Sequence, residues 1–194
     1  MLRKTFDALA TTAGLVVAAI LLVAGGLLLW GHSFVANEVH SQLAAQKIYF
    51  PPSNSPAIKA PEFAAMHQYA GQLMTTGAQA EVYADHFIAI HLKEIGGGQT
   101  YAQLSAKSLA QPKNAALAGQ VQTMFRGETL RGLLLNAYAF GKIGQIMLIS
   151  AIVAFAGAGL MLILSIAGVA HLRRVSPQAQ VFAKLSPAKE VQAA

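Results

Sequence analysis

Cysteine is absent from this 194-residue sequence, and charged residues are scarce. Without cysteine the chain has no disulfide framework, no thiolate metal ligand and no cysteine nucleophile. Charged residues make up 11% of the sequence, compared with about 25% in a typical soluble domain, whereas 55% of the residues are hydrophobic. The net charge is +6, but the basic residues are scattered and four of the 14 follow the last apolar segment. This composition favours a membrane protein over a nucleic-acid-binding one.

The longest uncharged segment covers residues 143–170, which are 28 residues without one charged side chain. A helix of that length extends roughly 42 Å at about 1.5 Å per residue, beyond the roughly 30 Å of bilayer hydrocarbon. Arg173 and Arg174 follow almost immediately and form a basic flank. The segment therefore predicts a transmembrane helix over 143–170.

A second apolar segment lies near the N-terminus, over residues 14–31. A cleaved signal peptide is the alternative, but this apolar segment is longer than the 7–15 residues typical of the apolar h-region of a signal peptide. The nearest small-residue cleavage site ends at Ala36 and has the bulky Phe34 at its −3 position. We therefore expect an uncleaved transmembrane helix, with Trp30 in the interfacial aromatic belt.

Basic residues at the ends of the chain predict its orientation. Arg3 and Lys4 precede the first span, whereas Arg173 and Arg174 follow the second. Because positive flanks favour the cytoplasm, both termini are predicted to be cytoplasmic in a multi-pass protein of the plasma membrane. The predicted segments are a cytoplasmic N-terminus (1–13), a first span (14–31), an extracytoplasmic domain (32–142), a second span (143–170) and a cytoplasmic tail (171–194).

The extracytoplasmic segment has helical patterning throughout. No stretch of it alternates apolar and polar residues with enrichment in β-branched residues, so we expect an all-α membrane protein with a helical domain between two transmembrane helices. The first helix is predicted to continue past its span and to end before Pro51 and Pro52. Further helices are predicted from Pro61 to about Met74, over 78–95, from Thr100 to before Pro112, and from Asn114 into the second span.

Histidines provide the candidate metal ligands. The set consists of His67, His86 and His91, which with Glu81, Asp85 or Glu94 would supply two imidazoles and a carboxylate. His86 and His91 are five positions apart, however, and therefore about 140° apart on a helix. His91 shares a face with Phe87, so packing is the alternative explanation. We expect no catalytic residue and no cofactor.

Small residues recur along both predicted spans and indicate close helix packing. The predicted packing positions are Gly14, Ala18 and Gly25 in the first span, and Ser150, Ala154, Gly157 and Ala158 in the second. Two explanations stay open: the spans pack on each other, or they pack on another subunit. No ionisable residue lies at the centre of either span, which argues against a proton relay, an ion channel or a transporter.

Two segments carry a family resemblance. Residues 41–52 read SQLAAQKIYFPP, and residues 78–105 read AQAEVYADHFIAIHLKEIGGGQTYAQLS. In these motifs the chain resembles small actinobacterial membrane proteins of unknown function, which often carry an automatic label of aromatic ring-opening dioxygenase. The resemblance implies a two-span helical membrane protein. It transfers no active site, and the histidine spacing does not supply the iron ligands that such an enzyme needs.

These observations predict a non-catalytic accessory or stabilising subunit of a larger cell-envelope complex, such as a respiratory or monooxygenase assembly. The expected partners are membrane lipid and other membrane subunits, and no nucleic acid. The alternatives are a metal-dependent membrane enzyme with a histidine site and an extracytoplasmic ligand-binding sensor.

Overall fold

A computed structural model describes residues 3–174 and 176, so most of the predicted cytoplasmic tail lies outside the described residues. The described residues form helices and no strand. The α-helices are α1 (Arg3–Ala45), α2 (Gly77–Tyr83), α3 (Ala89–Ile95), α4 (Tyr101–Ala110) and α5 (Ala115–Leu172); two 3₁₀ helices cover Pro56–Ile58 and Pro61–Tyr69, and a π-helical turn covers Ala84–Ile88. The prediction of an all-helical chain is confirmed for this part of the protein.

Local capping explains where several helices begin. Thr76 and Thr100 each accept a hydrogen bond from the backbone of a glutamine three residues later, and each glutamine side chain binds back to the capping residue. Asn114 accepts a hydrogen bond from the Leu117 amide at 3.0 Å at the start of α5. After α3, Gly97 and Gly98 adopt positive φ angles of 57° and 78°, which glycine tolerates at little cost.

The segment predicted as a helix from Pro61 to Met74 differs from the prediction. It is a 3₁₀ helix that ends at Tyr69, and Gly71 then adopts a φ of 74°. Beyond this turn the chain is extended, and the Met74 amide donates to the Ile48 carbonyl at 2.9 Å. Two physical reasons account for the change: Phe63 and Met66, both buried, have the three-residue period of a 3₁₀ helix, and the extended segment pairs with the chain that follows α1.

The predicted single helix over 78–95 is interrupted by the π-helical turn at Ala84–Ile88. A π turn places one additional residue within the helical path and shifts the faces of the flanking segments. Helices α2 and α3 therefore belong to one helical rod with a wider central turn. Asp85 lies on that turn.

The chain divides into two compact units. The hairpin unit comprises Met1–Leu28 and Ile149–Ala194, and the central unit comprises Leu29–Leu148. In the hairpin unit α1 and α5 are antiparallel, because Asp7 contacts His171 whereas Gly25 lies against Phe155. Both helices are long and apolar enough to cross a membrane, and 11% of the most apolar window of each is buried.

The central unit has its own hydrophobic core. Its completely buried large side chains come from α1, the loop after it, both 3₁₀ helices, the extended segment before α2, and α5: Leu43, Phe50, Ile58, Met66, Met74, Met124 and Leu134. Phe50 packs its ring against Tyr69 and Tyr83, with centroids 5.3 and 5.4 Å away. Aromatic packing thus connects the proline-rich loop to the helical rod.

Candidate functional site

The three candidate histidines lie in different surroundings. The Nε2 atom of His67 lies 3.0 Å from the Ile58 carbonyl oxygen, which fixes one 3₁₀ helix to the other. His91 places Nδ1 2.7 Å from the Phe87 carbonyl oxygen, and its ring packs on Phe87 with centroids 4.5 Å apart. His86 is exposed. Among residues 3–174 and 176, no three His, Cys, Asp or Glu side chains converge as metal ligands.

The acidic candidate on the π turn is engaged in an ion pair. Arg131 on α5 donates to the Oδ1 atom of Asp85 from both Nη2 at 2.8 Å and Nε at 3.2 Å. Glu128 adds a second carboxylate 3.6 Å from the Arg131 Nη1 atom. The hydrogen bond to Asp85 is the main reason why the pKa of Arg131 is raised above its usual value. The pair connects the π turn to α5.

The small-residue positions of the predicted spans lie between the two helices of the hairpin unit. Ala18, Ala154 and Ala158 are buried there. A Cβ atom added to Gly25 would lie 2.9 Å from the Phe155 ring, so the glycine gives that ring its space. Contacts within the chain therefore involve these positions.

Gly14 and Gly157 also lie against side chains of the opposite helix. A Cβ atom added to Gly14 would lie 2.6 Å from the Ser165 hydroxyl oxygen, and one added to Gly157 would lie 3.3 Å from Leu21. Ser150 is half-buried. At Gly14, Gly25 and Gly157 the absence of a Cβ atom leaves room for a side chain of the opposite helix.

The predicted membrane-flanking residues are largely exposed. Lys4, Arg173 and Arg174 are exposed, and Arg3 lies 4.0 Å from the Asp7 carboxylate. Trp30 stacks on Phe34, with ring centroids 5.8 Å apart, and 69% of its surface is exposed.

A cleft of about 420 Å³ in the central unit is a site that the sequence analysis did not anticipate. Its polar side chains come from α1, from the segment before α2 and from α5, and they define what we call the polar cleft: His32, Asn37, His40, Thr75, Thr76, Tyr138, Lys142 and Gln145. Gly77, Gly141 and Gly144 line it as well. The only sequence signal was the occurrence of two histidines and a lysine just beyond the predicted spans.

The polar cleft is basic. Among the described residues that line it, none is Asp or Glu. The Nδ1 atom of His32 lies 2.8 Å from the Gly144 carbonyl oxygen, which fixes this imidazole against α5. The Lys142 ammonium lies over the Tyr138 ring, 5.4 Å from its centroid.

An aromatic pair is exposed elsewhere on the central unit. Tyr101 on α4 and Phe125 on α5 pack with ring centroids 5.8 Å apart. Tyr101 is 36% exposed and Phe125 is 50% exposed. The two rings thus form an apolar surface that the described residues leave uncovered.

Residues 3–174 fold almost entirely into helices, and two of these helices are long and apolar enough to cross a membrane. Comparison of the chain with protein-family models, with curated proteins and with solved structures finds no match. The residues of this chain alone therefore indicate its function.

Proposed function

We propose that this chain is a non-catalytic integral membrane protein that acts as an accessory or stabilising subunit of a larger cell-envelope complex, such as a respiratory or monooxygenase assembly. In this proposal residues 14–31 and 143–170 cross the plasma membrane, and residues 32–142 lie outside the cytoplasm. Both termini are cytoplasmic.

Exposure of the apolar helices supports insertion into lipid. A buried core helix hides its apolar residues, whereas 89% of the most apolar window of α1 and of α5 is not buried. Ile152, Val153 and Ile163 on α5 are each more than half exposed. Lipid would cover these side chains and remove the cost of hydrating them.

The antiparallel hairpin supports a common side for both termini. The His171 Nε2 atom, near the end of α5, lies 3.6 Å from the Asp7 carboxylate, near the start of α1. Two antiparallel spans return the chain to the side on which it began. The basic residues Arg3, Lys4, Arg173 and Arg174 then share that side, which agrees with a cytoplasmic location.

The exposed aromatic pair is the observation that carries the subunit role. Phe125 precedes the second predicted span by 18 residues, which is roughly 27 Å of helix at about 1.5 Å per residue. In the proposed topology this distance places Phe125 beyond the headgroup region, which extends about 5–8 Å past the hydrocarbon. Aromatic residues are enriched in protein–protein interfaces, and covering Tyr101 and Phe125 with a partner removes apolar surface from water.

Site-specific crosslinking in intact cells tests this role. We expect a photoreactive phenylalanine analogue at Phe125 to form a discrete adduct with another membrane protein. The matched control carries the analogue at Thr123, an exposed residue about 160° away on the same helix, and should give little of that adduct. Absence of any adduct at Phe125, together with purification of the chain without a partner in mild detergent, would contradict the proposal.

The two alternatives predict other outcomes. A metal-dependent enzyme that uses His67, His86 and His91 requires stoichiometric iron, copper or zinc in the purified protein, which elemental analysis measures directly. A ligand-binding sensor requires a small molecule that copurifies with the central unit, and mass spectrometry of an extract would detect it.

A further inference from the structure

We propose that the polar cleft binds an anionic, phosphate-bearing group, and that the membrane supplies this group as a lipid headgroup. The source rests on the proposed insertion of the chain in the membrane, whereas the preference for an anion rests on the cleft alone.

The charge of the cleft gives the sign of its ligand. Lys142 contributes an ammonium group to the cleft, and His32 and His40 contribute two imidazoles. No carboxylate among the described lining residues neutralises them. An anion that enters the cleft therefore gains attraction without displacing an existing ion pair.

Some hydrogen-bond donors in the cleft already have a partner within the protein, and others do not. The hydroxyls of Thr75 and Thr76 already face the Gln79 amide oxygen at 3.3 and 3.2 Å. In contrast, no hydrogen bond is present within the described residues for the side chains of Asn37, His40 and Gln145. Phosphate oxygens accept several hydrogen bonds at once, so these amides and the imidazole suit a phosphate better than an apolar ligand.

Position along the helices identifies the source of the phosphate. His32 follows the first predicted span directly, and Lys142 directly precedes the second. The headgroup region extends about 5–8 Å beyond the hydrocarbon on each side, which is the depth that these residues occupy if the spans insert as proposed. Lysine and arginine at this depth attract anionic lipids.

The size of the cleft fits this ligand class. A volume of about 420 Å³ lies within the range of small-molecule sites, and it is large enough for a glycerol phosphate headgroup. Gly77 and Gly141, both in the lining, approach each other closely, since a Cβ atom added to either glycine would lie 3.4 Å from the other's Cα atom.

Calorimetric titration of the detergent-solubilised chain tests the proposal. The probes are a short-chain phosphatidylglycerol, a short-chain phosphatidylcholine and inorganic phosphate. We expect phosphatidylglycerol to bind at least fivefold more tightly than phosphatidylcholine, and Lys142→Gln to weaken it about fivefold, the effect of one lysine near an anionic surface. The matched control Lys113→Gln removes an exposed lysine outside the cleft and should leave binding unchanged.

Each outcome is decisive. Binding of phosphatidylglycerol without binding of inorganic phosphate supports a lipid headgroup, whereas equal binding of both supports the anion site and overturns the lipid source. Equal affinities for Lys142→Gln and Lys113→Gln overturn the proposal, provided that circular dichroism shows an unchanged helix content in both variants. Because the titration in detergent does not depend on membrane orientation, its failure is distinguishable from failure of the proposed topology.

Discussion

Substitution of Gly77 by alanine separates tertiary packing from helix propensity. Gly77 begins α2, where it lies against the backbone of α5. A Cβ atom added there would lie 2.9 Å from the Ala137 carbonyl oxygen and 3.0 Å from the Tyr138 Cα atom. Both of these atoms belong to the backbone of a long helix, so no flexible side chain can move to make space.

Helix propensity and overpacking change the stability of the Gly77→Ala variant in opposite directions. Alanine is favoured over glycine in a helix by up to about 1 kcal/mol, which alone would stabilise the variant. Overpacking costs typically about 1–3 kcal/mol. We therefore expect Gly77→Ala to lower the free energy of unfolding of the central unit by about 1–2 kcal/mol. At about 2–4 °C per kcal/mol, the Tm falls by roughly 2–8 °C.

A matched variant gives the opposite expectation. Gly119 lies on α5, and a Cβ atom added there meets no other atom within 4 Å. Only helix propensity acts at this position, so Gly119→Ala should stabilise the chain by roughly 0.5–1 kcal/mol. Thermal unfolding in mild detergent, followed by circular dichroism, measures both variants. If both substitutions raised the Tm, the close approach of α2 to α5 would be refuted.

Three further predictions concern other contacts. A double-mutant cycle with Asp85→Asn and Arg131→Gln should give a coupling of about 0.5–1 kcal/mol by thermal unfolding, and added salt should decrease it; no coupling would contradict the ion pair. Burial raises the pKa of Tyr83 because the ionised phenolate is disfavoured in the folded state. The free energy of unfolding is therefore unaffected by this group below pH about 10 and falls as the pH rises further, where the unfolded chain ionises first. Tyr83→Phe should reduce this alkaline loss of stability when unfolding is measured against pH. In the hairpin, Gly25→Leu should lower the Tm in detergent, whereas Gly26→Leu, which meets no atom within 4 Å, should not.

Helix boundaries were largely predictable because their causes are local. The threonine cap at Thr100, the asparagine cap at Asn114 and the glycines after α3 all act within a few residues. The proline pair does not end α1, which stops at Ala45 and is followed by Lys47 with a φ of 53°, whereas the apolar segments needed only composition and length. Each of these signals can be read from a short window of sequence.

Features that depend on distant contacts could not be predicted in this way. The π turn at Ala84–Ile88 has no sequence signature comparable to a cap. The partner of its Asp85 is Arg131, 46 positions away, which a short window of sequence does not contain. The 3₁₀ helix at Pro61–Tyr69 ends where the chain pairs with the segment after α1. The polar cleft needs His32 and Lys142 to come together, and no local pattern contains that information. Small-residue periodicity led to a prediction of helix-packing positions, but it contains no information on which side chain of the opposite helix lies against each of them.

Cysteine labelling in intact cells tests the central claim most directly, because the native chain has no cysteine and each introduced thiol is the only reactive site. Ser53 is exposed in the loop after α1, and Ser186 belongs to the predicted cytoplasmic tail. A membrane-impermeant maleimide should label Ser53→Cys in intact cells and should label Ser186→Cys only after the membrane is permeabilised. Labelling of Ser186→Cys from outside, or protection of Ser53→Cys until permeabilisation, would contradict two spans with the central unit outside the cytoplasm.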